Sequence, residues 1–471
     1  KPLAERRDLA SLENKANVSE KELSKHLNLK NDASIDVHWS QLLRNLKQNE
    51  VVIEFIAYPL YNDGKISNTI CYAALLIRPD DKFPVFIPLC SEEKLEAQFV
   101  VNSKRRMEYV SKLYQKPDNL SRQHDKYLYN LIWKPIESLI KPYSTVYYSP
   151  IGLMHRINLN AITLPDNSSV MDQYKLVLLT STRELLSQSY EYVSYTNESI
   201  LFGGLQYDLN VSSNSISDTI VYQFDLSTRG DYSFFQNDSS LRVGKWKYLE
   251  GTINEVQKIS TVFEMNNLKS NIISELNATE DFFKSLGRST TRASSPRLIH
   301  LATHGLFFPD PKNINQFSIV NNPKQIVFQN ATDPMIRSGL IMAGANYAWQ
   351  NGKLAYPNAD DGILTAYEIS LMDLSNTELV VLSACETGLG DIAGNEGVYG
   401  LQRAFKIAGV KNIMMSLWQV PDKQTSELMQ LFYRNWIKEK LPIRDALLEA
   451  QNTLRKKGLE PYYWAGFVLV N

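Results

Sequence analysis

Between residues 50 and 91 the apolar positions fall in short runs rather than at helical spacing. "VVIEFIAYPL", "CYAALLIRP" and "FPVFIPL" are rich in β-branched and aromatic residues and predict three strands. The Asn62-Asp63-Gly64-Lys65 stretch between the first two predicts a hairpin-like turn. Residues 91–142 then read as helical with one polar face, and "STVYYSP" (144–150) and "YKLVLLT" (174–180) as strands, so that 35–195 is a mixed α/β unit. After a strand at "SILFGGL" (199–205), the stretch 205–250 is rich in Ser, Asn and Asp and predicts a long loop. Next the pattern alternates: helix at "INEVQKISTVF", strand near "SNIIS", helix at "TEDFFKSLG", strand at "RLIHLAT". It resumes with strand "ELVVLSA", helix "GVYGLQRAFKIAG", strand "NIMMSLW" and helix "QTSELMQLFYRNWI". These strands are apolar throughout, which predicts a largely parallel sheet covered by helices on both faces. The span from Leu306 to Asp361 shows little periodicity, and such spans are commonly lids or binding loops.

Leu3, Leu9, Leu12, Leu23 and Leu27 recur among charged residues and predict a helix over 3–29. It either packs on something upstream or folds back on its own domain. There is also an internal echo. "VYYSPIGLMH" followed by "YKLVLLTSTREL" resembles "LIHLATHG" followed by "ELVVLSACETG". Under a duplication Thr182 falls where Cys385 sits, so the first copy has no thiol; two unrelated α/β units would give the same pattern. The resulting division is a helical segment at 1–34, a first α/β half at 35–197 and a second at 198–471.

Composition adds bounds. With 471 residues, 44% hydrophobic and 21% charged, there is core for two or three domains. A net charge of -1 gives no reason to expect nucleic acid or anionic lipid as a partner. No apolar run reaches the roughly 18 residues of a membrane span. Because the chain opens at Lys1, its natural start is expected upstream. Cys71, Cys90 and Cys385 are too few for a disulfide framework and lie at no metal-ligand spacing, so a reducing cytoplasm is the expected compartment and no cofactor is expected.

Two strands end in reactive residue types followed by glycine or a short turn: Thr303-His304-Gly305 and Ala384-Cys385-Glu386-Thr387-Gly388. In doubly wound sheets ligands bind at the carboxyl ends of strands, where residues far apart in sequence converge. A thiol needs a base to become a strong nucleophile, and the His304 imidazole supplies one at neutral pH. The N–H groups of Gly305 and Cys385 would together make an oxyanion hole. Each piece has a plainer reading, since Cys385 at a strand end is a common core residue and His304 before a glycine is unremarkable. His300, inside the strand, suits packing better than chemistry.

The segments "LIHLATHGLFF", "LTAYEISLMDLSNTELVVLSACETGLGD", "GNEGVYGLQRAFKIAGVKNIMMSLWQVPD" and "PYYWAGFVLV" resemble the CHAT domain, of the caspase-like (clan CD) cysteine peptidases. Caspases, metacaspases, gingipains and separase belong to the same clan, and CHAT proteins are mostly bacterial. The resemblance covers essentially residues 35–471, and these four motifs stand in the family's order. The resemblance implies a His–Cys dyad on His304 and Cys385, and a caspase-type α/β sandwich preceded by an inactive caspase-like half. It also implies an upstream tetratricopeptide array, whose end the helix at 3–29 would be. "SLWQVPDKQTSEL" resembles the separase segment in which a tryptophan is followed, four residues on, by an S1-pocket aspartate; here these are Trp418 and Asp422, with Ser416 just before them. That implies cleavage after Arg or Lys. The alternative is that Asp422 caps the helix beginning near Lys423. Some basic-specific relatives carry an acidic residue two before the cysteine, where this chain has Ser383; Glu386 and Asp391 are other contributors to weigh.

The expectation is therefore a cysteine endopeptidase that acts on a specific protein partner. It is kept latent by loops, with 306–361 as candidate lid and 205–250, containing Arg229 and Arg242, as a second and a candidate for self-cleavage. Its context would be bacterial defence or programmed cell death. Two rivals stand beside it: a non-catalytic signalling scaffold on the same fold, and another thiol hydrolase such as an amidase or transpeptidase.

Overall fold

The computed structural model describes residues 38–62, 64–99, 110, 113–114, 128–140, 145–186, 196–209, 245–287, 295–307, 331, 333–351, 354–355, 359–383, 400–418 and 420–471. The helix expected at 3–29 lies outside them, as do Arg229 and Arg242 and the stretch 384–399 that carries Cys385, Glu386 and Asp391.

The first apolar run forms β1 (Glu50–Asn62), which turns at Gly64 into β2 (Lys65–Ile77) with Asn62 opposite Lys65. Gly64 takes φ +77°, the left-handed conformation for which the Asn-Asp-Gly-Lys turn needs a glycine. β3 (Val85–Ser91) adds antiparallel to β2, while β4 (Thr145–Ser149) and β5 (Lys175–Leu178) continue parallel to β1. The second half supplies β6 (Ser199–Leu205), β7 (Asn271–Glu275), β8 (Leu298–Leu301), and a three-stranded antiparallel sheet of β9 (Gly305–Phe307), β10 (Ser338–Ile341) and β11 (Ile363–Thr365). β12 (Leu379–Leu382), β13 (Asn412–Ser416) and β14 (Phe467–Val470) complete it.

One mixed sheet runs β3-β2-β1-β4-β5-β14-β13-β12-β8-β6-β7. The C-terminal β14 links β5 to β13, Val470 pairing parallel with Leu178 of β5 on one side and antiparallel with Ile413 of β13 on the other. β8, β12 and β14 are buried at every position, as their apolar sequences, broken only by His300, require of strands covered on both faces. The fold is thus mixed α/β with a large, mostly parallel sheet.

The principal covering helices are α1 (Glu250–Met265), α2 (Glu280–Ser285), α3 (Ala345–Asn351), α4 (Leu401–Ile407), α5 (Asp422–Tyr433) and α6 (Ile443–Lys456). α1 buries Thr252, Glu255, Val256, Ile259, Ser260 and Phe263, the stripe expected of a 3.6-residue repeat. Its close approach to β6 depends on Gly203, where a Cβ would lie 2.6 Å from the Thr252 carbonyl oxygen. Gly204 follows at φ +68°, and its N–H donates to Thr252 Oγ1 at 2.8 Å. A side chain at either position would push away the helix whose N-terminal lead reaches the site described below.

The structure corrects the reading of 306–361 as aperiodic. Residues 338–351 form β10 and α3, with Leu340, Ile341, Ala345 and Trp349 buried in the main core. A four-residue strand and a seven-residue helix present no more than two repeats each, so their periodicity is hard to see in sequence.

A half-buried histidine, His155, makes stability pH-dependent. His155 Nε2 is out of water with no hydrogen-bond partner among the described residues, and desolvation pushes the ring pKa from 6.5 down to about 3. A depressed pKa contributes stability that is complete above about 6.5 and lost as pH falls from there towards 3, at about 1.4 kcal/mol per pH unit. Urea midpoints measured between pH 4 and 7 are expected to show this slope, and His155→Leu to flatten it; an unchanged slope in the variant would contradict the assignment.

Candidate active site

The carboxyl ends of three parallel strands lie in register: Leu301 of β8 pairs with Leu382 of β12, and Leu382 with Met415 of β13. His304, Cys385 and Trp418 each follow three residues later in their chains. The Ser383 N–H donates to the Leu301 carbonyl at 2.8 Å, so the β8–β12 ladder holds up to the point where the described chain stops short of Cys385.

His304 is held on every side. It is buried, its backbone carbonyl accepts the Ile341 N–H at 3.0 Å, and its ring lies against Tyr207 at 5.1 Å between centroids. Its neighbour Thr303 donates to the Ile341 carbonyl at 2.5 Å and shares a 2.9 Å hydrogen bond with Tyr207 Oη. On the imidazole, Nε2 lies 2.8 Å from the carbonyl oxygen of Lys247. A carbonyl can only accept, so Nε2 carries the hydrogen and Nδ1 is the basic nitrogen of the neutral ring. The same carbonyl stabilises the imidazolium formed when Nδ1 takes a proton. Such an imidazole can serve as general base and acid.

Gly305, the other half of the expected oxyanion hole, is half-buried at the start of β9 opposite Leu340. Of the residues expected to bind substrate, Ser416 ends β13 in the buried interior, paired with Phe467. Trp418 is also buried; its indole N–H donates to the Tyr462 carbonyl at 3.0 Å and its ring lies 5.9 Å from Tyr114. Asp422 differs from both. It is half-buried in the first turn of α5, with Pro421 in the capping position, so the carboxylate faces the helix dipole without being the cap. A Cβ on Gly251 would lie 2.7 Å from Asp422 Oδ2, so the carboxylate abuts the start of α1. The short segment 247–251 therefore touches His304 at one end and Asp422 at the other.

His300, two pleat repeats before His304 and inside β8, is occupied by structure as expected. Nε2 lies 2.9 Å from Glu255 Oε1 on α1 and Nδ1 lies 3.0 Å from Tyr433 Oη on α5, with all three residues fully buried. Burial raises the Tyr433 pKa well above its usual value, which keeps the hydroxyl a donor to Nδ1 while Nε2–H donates to the carboxylate. Sequence reasoning missed Glu255. Its signal was a carboxylate on the apolar stripe of an amphipathic helix. Glu255→Ala removes one partner of a buried pair and is expected to destabilise the protein by about 3–5 kcal/mol in urea unfolding; a loss under 1 kcal/mol would show that α1 and α5 do not depend on it.

In the first half, Thr182 donates to Glu54 Oε2 at 2.6 Å, and burial raises the pKa of that carboxyl. The position that the echo aligned with Cys385 is thus a hydroxyl bound to a carboxyl group.

Residues 124–471 match the CHAT domain, which is more than half of the chain. The chain belongs to the CHAT-domain family. Among curated proteins it is 32% identical over 111 residues to mouse tetratricopeptide repeat protein 28, and 30% identical over 117 residues to the human protein of the same name. These matches cover 23% and 24% of this chain but only 4% and 5% of those relatives. Solved structures similar to this CHAT protein include the Saccharomyces cerevisiae separase–securin complex, with TM-score 0.43, 11% identity, and coverage of 92% of this chain and 30% of that one. The Arg-specific cysteine proteinase gingipain R is another, with TM-score 0.32, 8% identity, and coverage of 77% and 66%. No helix among the described residues is long and apolar enough to cross a membrane, and no cluster of three or more potential metal ligands occurs among them.

Proposed function

We propose that this CHAT protein is a cysteine endopeptidase with His304 as general base and acid and Cys385 as nucleophile. The observation that carries the reading is the Lys247 carbonyl on His304 Nε2, which leaves Nδ1 as the proton acceptor at the ends of β8 and β12. Nδ1 takes the thiol proton, and the thiolate attacks the scissile carbonyl while the N–H groups of Gly305 and Cys385 receive the oxyanion. The imidazolium then protonates the leaving amine, giving a thioester acyl-enzyme; water, deprotonated by Nδ1, hydrolyses it and restores the thiol. No metal enters this sequence.

Asp422 is the proposed partner for a P1 Arg or Lys, supported by its half-buried carboxylate beside the segment that holds His304. The natural substrate would be a specific protein, with activity raised through an upstream tetratricopeptide module. The similarity to tetratricopeptide repeat protein 28 is compatible with such an architecture.

Labelling of new protein termini in a bacterial lysate treated with the protein tests the proposal. Termini following Arg or Lys that vanish with Cys385→Ala are expected. Termini following Asp or small residues would remove Asp422 from the pocket, and the same pattern with and without Cys385 would refute the peptidase.

A further inference from the structure

The chain leaves β6 at Tyr207-Asp208 and returns to α1 through Lys245-Trp246-Lys247, with residues 210–244 between them in sequence. One side chain ties these two stems together. Asn346, buried at the start of α3, donates through Nδ2 to Asp208 Oδ1 at 3.0 Å and to the Trp246 carbonyl at 2.9 Å. Its Oδ1 accepts the Trp246 N–H at 2.8 Å, and its own N–H donates to the Tyr207 carbonyl at 3.0 Å. A Lys245–Asp208 ion pair at 3.2 Å and the Trp246–Trp349 ring pair at 4.9 Å close the junction from outside and inside.

Both backbone polar groups of Trp246 are thus held by one amide, and the next carbonyl along the chain is that of Lys247, the acceptor for His304 Nε2. The partner on the other stem, Tyr207, lies against the His304 ring. An asparagine is suited to this task because its amide offers donor and acceptor in one plane, matching the N–H and C=O of a single residue. Leucine or alanine would leave these buried groups unmade, and an aspartate would face Asp208 as a like charge.

We propose that Asn346 is a positioning residue for His304: by clamping Trp246 it fixes the Lys247 carbonyl on Nε2, and with it which imidazole nitrogen carries the proton. This deepens the peptidase reading, but its test does not depend on catalysis.

The test is the imidazole 15N spectrum of protein labelled at its six histidines, with the His304 signals assigned by His304→Ala. In the unmodified protein above pH 8 the His304 signals are expected to show hydrogen on Nε2 alone. In Asn346→Ala they are expected to move to a mixture of the two tautomers while the His300 signals stay in place, and kcat on a peptide substrate falls about tenfold with KM within twofold. A His304 tautomer unchanged in Asn346→Ala, with His300 also unchanged, would overturn the proposal. Should Asn346→Ala displace the His300 signals too, Asn346→Ser serves instead, because its hydroxyl keeps the smaller side chain polar. A mixed tautomer there supports the clamp, and a wild-type tautomer overturns it. If the peptidase reading failed, peptide turnover would be absent in every variant while the tautomer change would still appear.

Discussion

Replacing His304 with alanine is expected to lower kcat/KM on a peptide with a basic P1 residue by about 10⁴-fold, to the level of Cys385→Ala. The size follows from the role. General base and acid catalysis contributes ~10²–10⁴, and loss of the base also leaves the thiol protonated at neutral pH. The two substitutions should not add, because nucleophile and base act as a unit. Folding should survive, since the imidazole gives up one hydrogen bond to Lys247 while the backbone bond to Ile341 and the Thr303 contacts remain. Active-site-normalised progress curves alongside melting temperatures check this. A variant that keeps more than a tenth of the activity at unchanged stability would remove His304 from the chemistry.

The second large effect is on specificity. Truncating one partner of a buried, hydrogen-bonded charge pair costs about 2–5 kcal/mol, and each 1.4 kcal/mol is a factor of ten. Asp422→Ala is therefore expected to lower kcat/KM for a P1 arginine peptide by about 10²-fold or more, with little change for a P1 citrulline analogue, which lacks the charge. Stability should change little, because a first-turn carboxylate contributes only about 0.3–1 kcal/mol to its helix. Equal losses on both peptides would mean that Asp422 supports the fold of the site rather than reading the P1 charge.

Much of this could be read from the chain itself. β12 is apolar from end to end and β8 and β13 are mostly so, which made their positions and parallel arrangement legible in the sequence, and with them His304 just past the end of β8. The hairpin at Asn62–Lys65 was legible because a left-handed glycine has a local sequence signature. Other features had none. The Lys247 carbonyl that orients His304 is backbone, which any residue could supply, so its role follows from where β6, α1 and α3 meet. Asn346 reads as an ordinary polar residue in an aperiodic span, because its four hydrogen bonds reach residues more than 90 positions away. Helix α6 went unread although Ala446, Leu447, Ala450, Gln451 and Leu454 recur at helical spacing and line its buried face. Trp418 is the converse case. A motif drew attention to its side chain, and the structure commits its indole N–H to Tyr462.

The proposed chemistry requires Cys385 to be a thiolate made by His304, and the rate of alkylation measures that directly. Iodoacetamide reacts with thiolates and is small enough to need no substrate pocket, so peptide mapping after timed exposure at pH 6.5 gives a rate for each cysteine. Cys90 provides the internal reference, because burial pushes its thiol up to about 11. The predicted result is that Cys385 reacts at least 100-fold faster than Cys90 and loses most of that advantage in His304→Ala. Equal rates at Cys385 and Cys90, or a Cys385 rate untouched by His304→Ala, would contradict it.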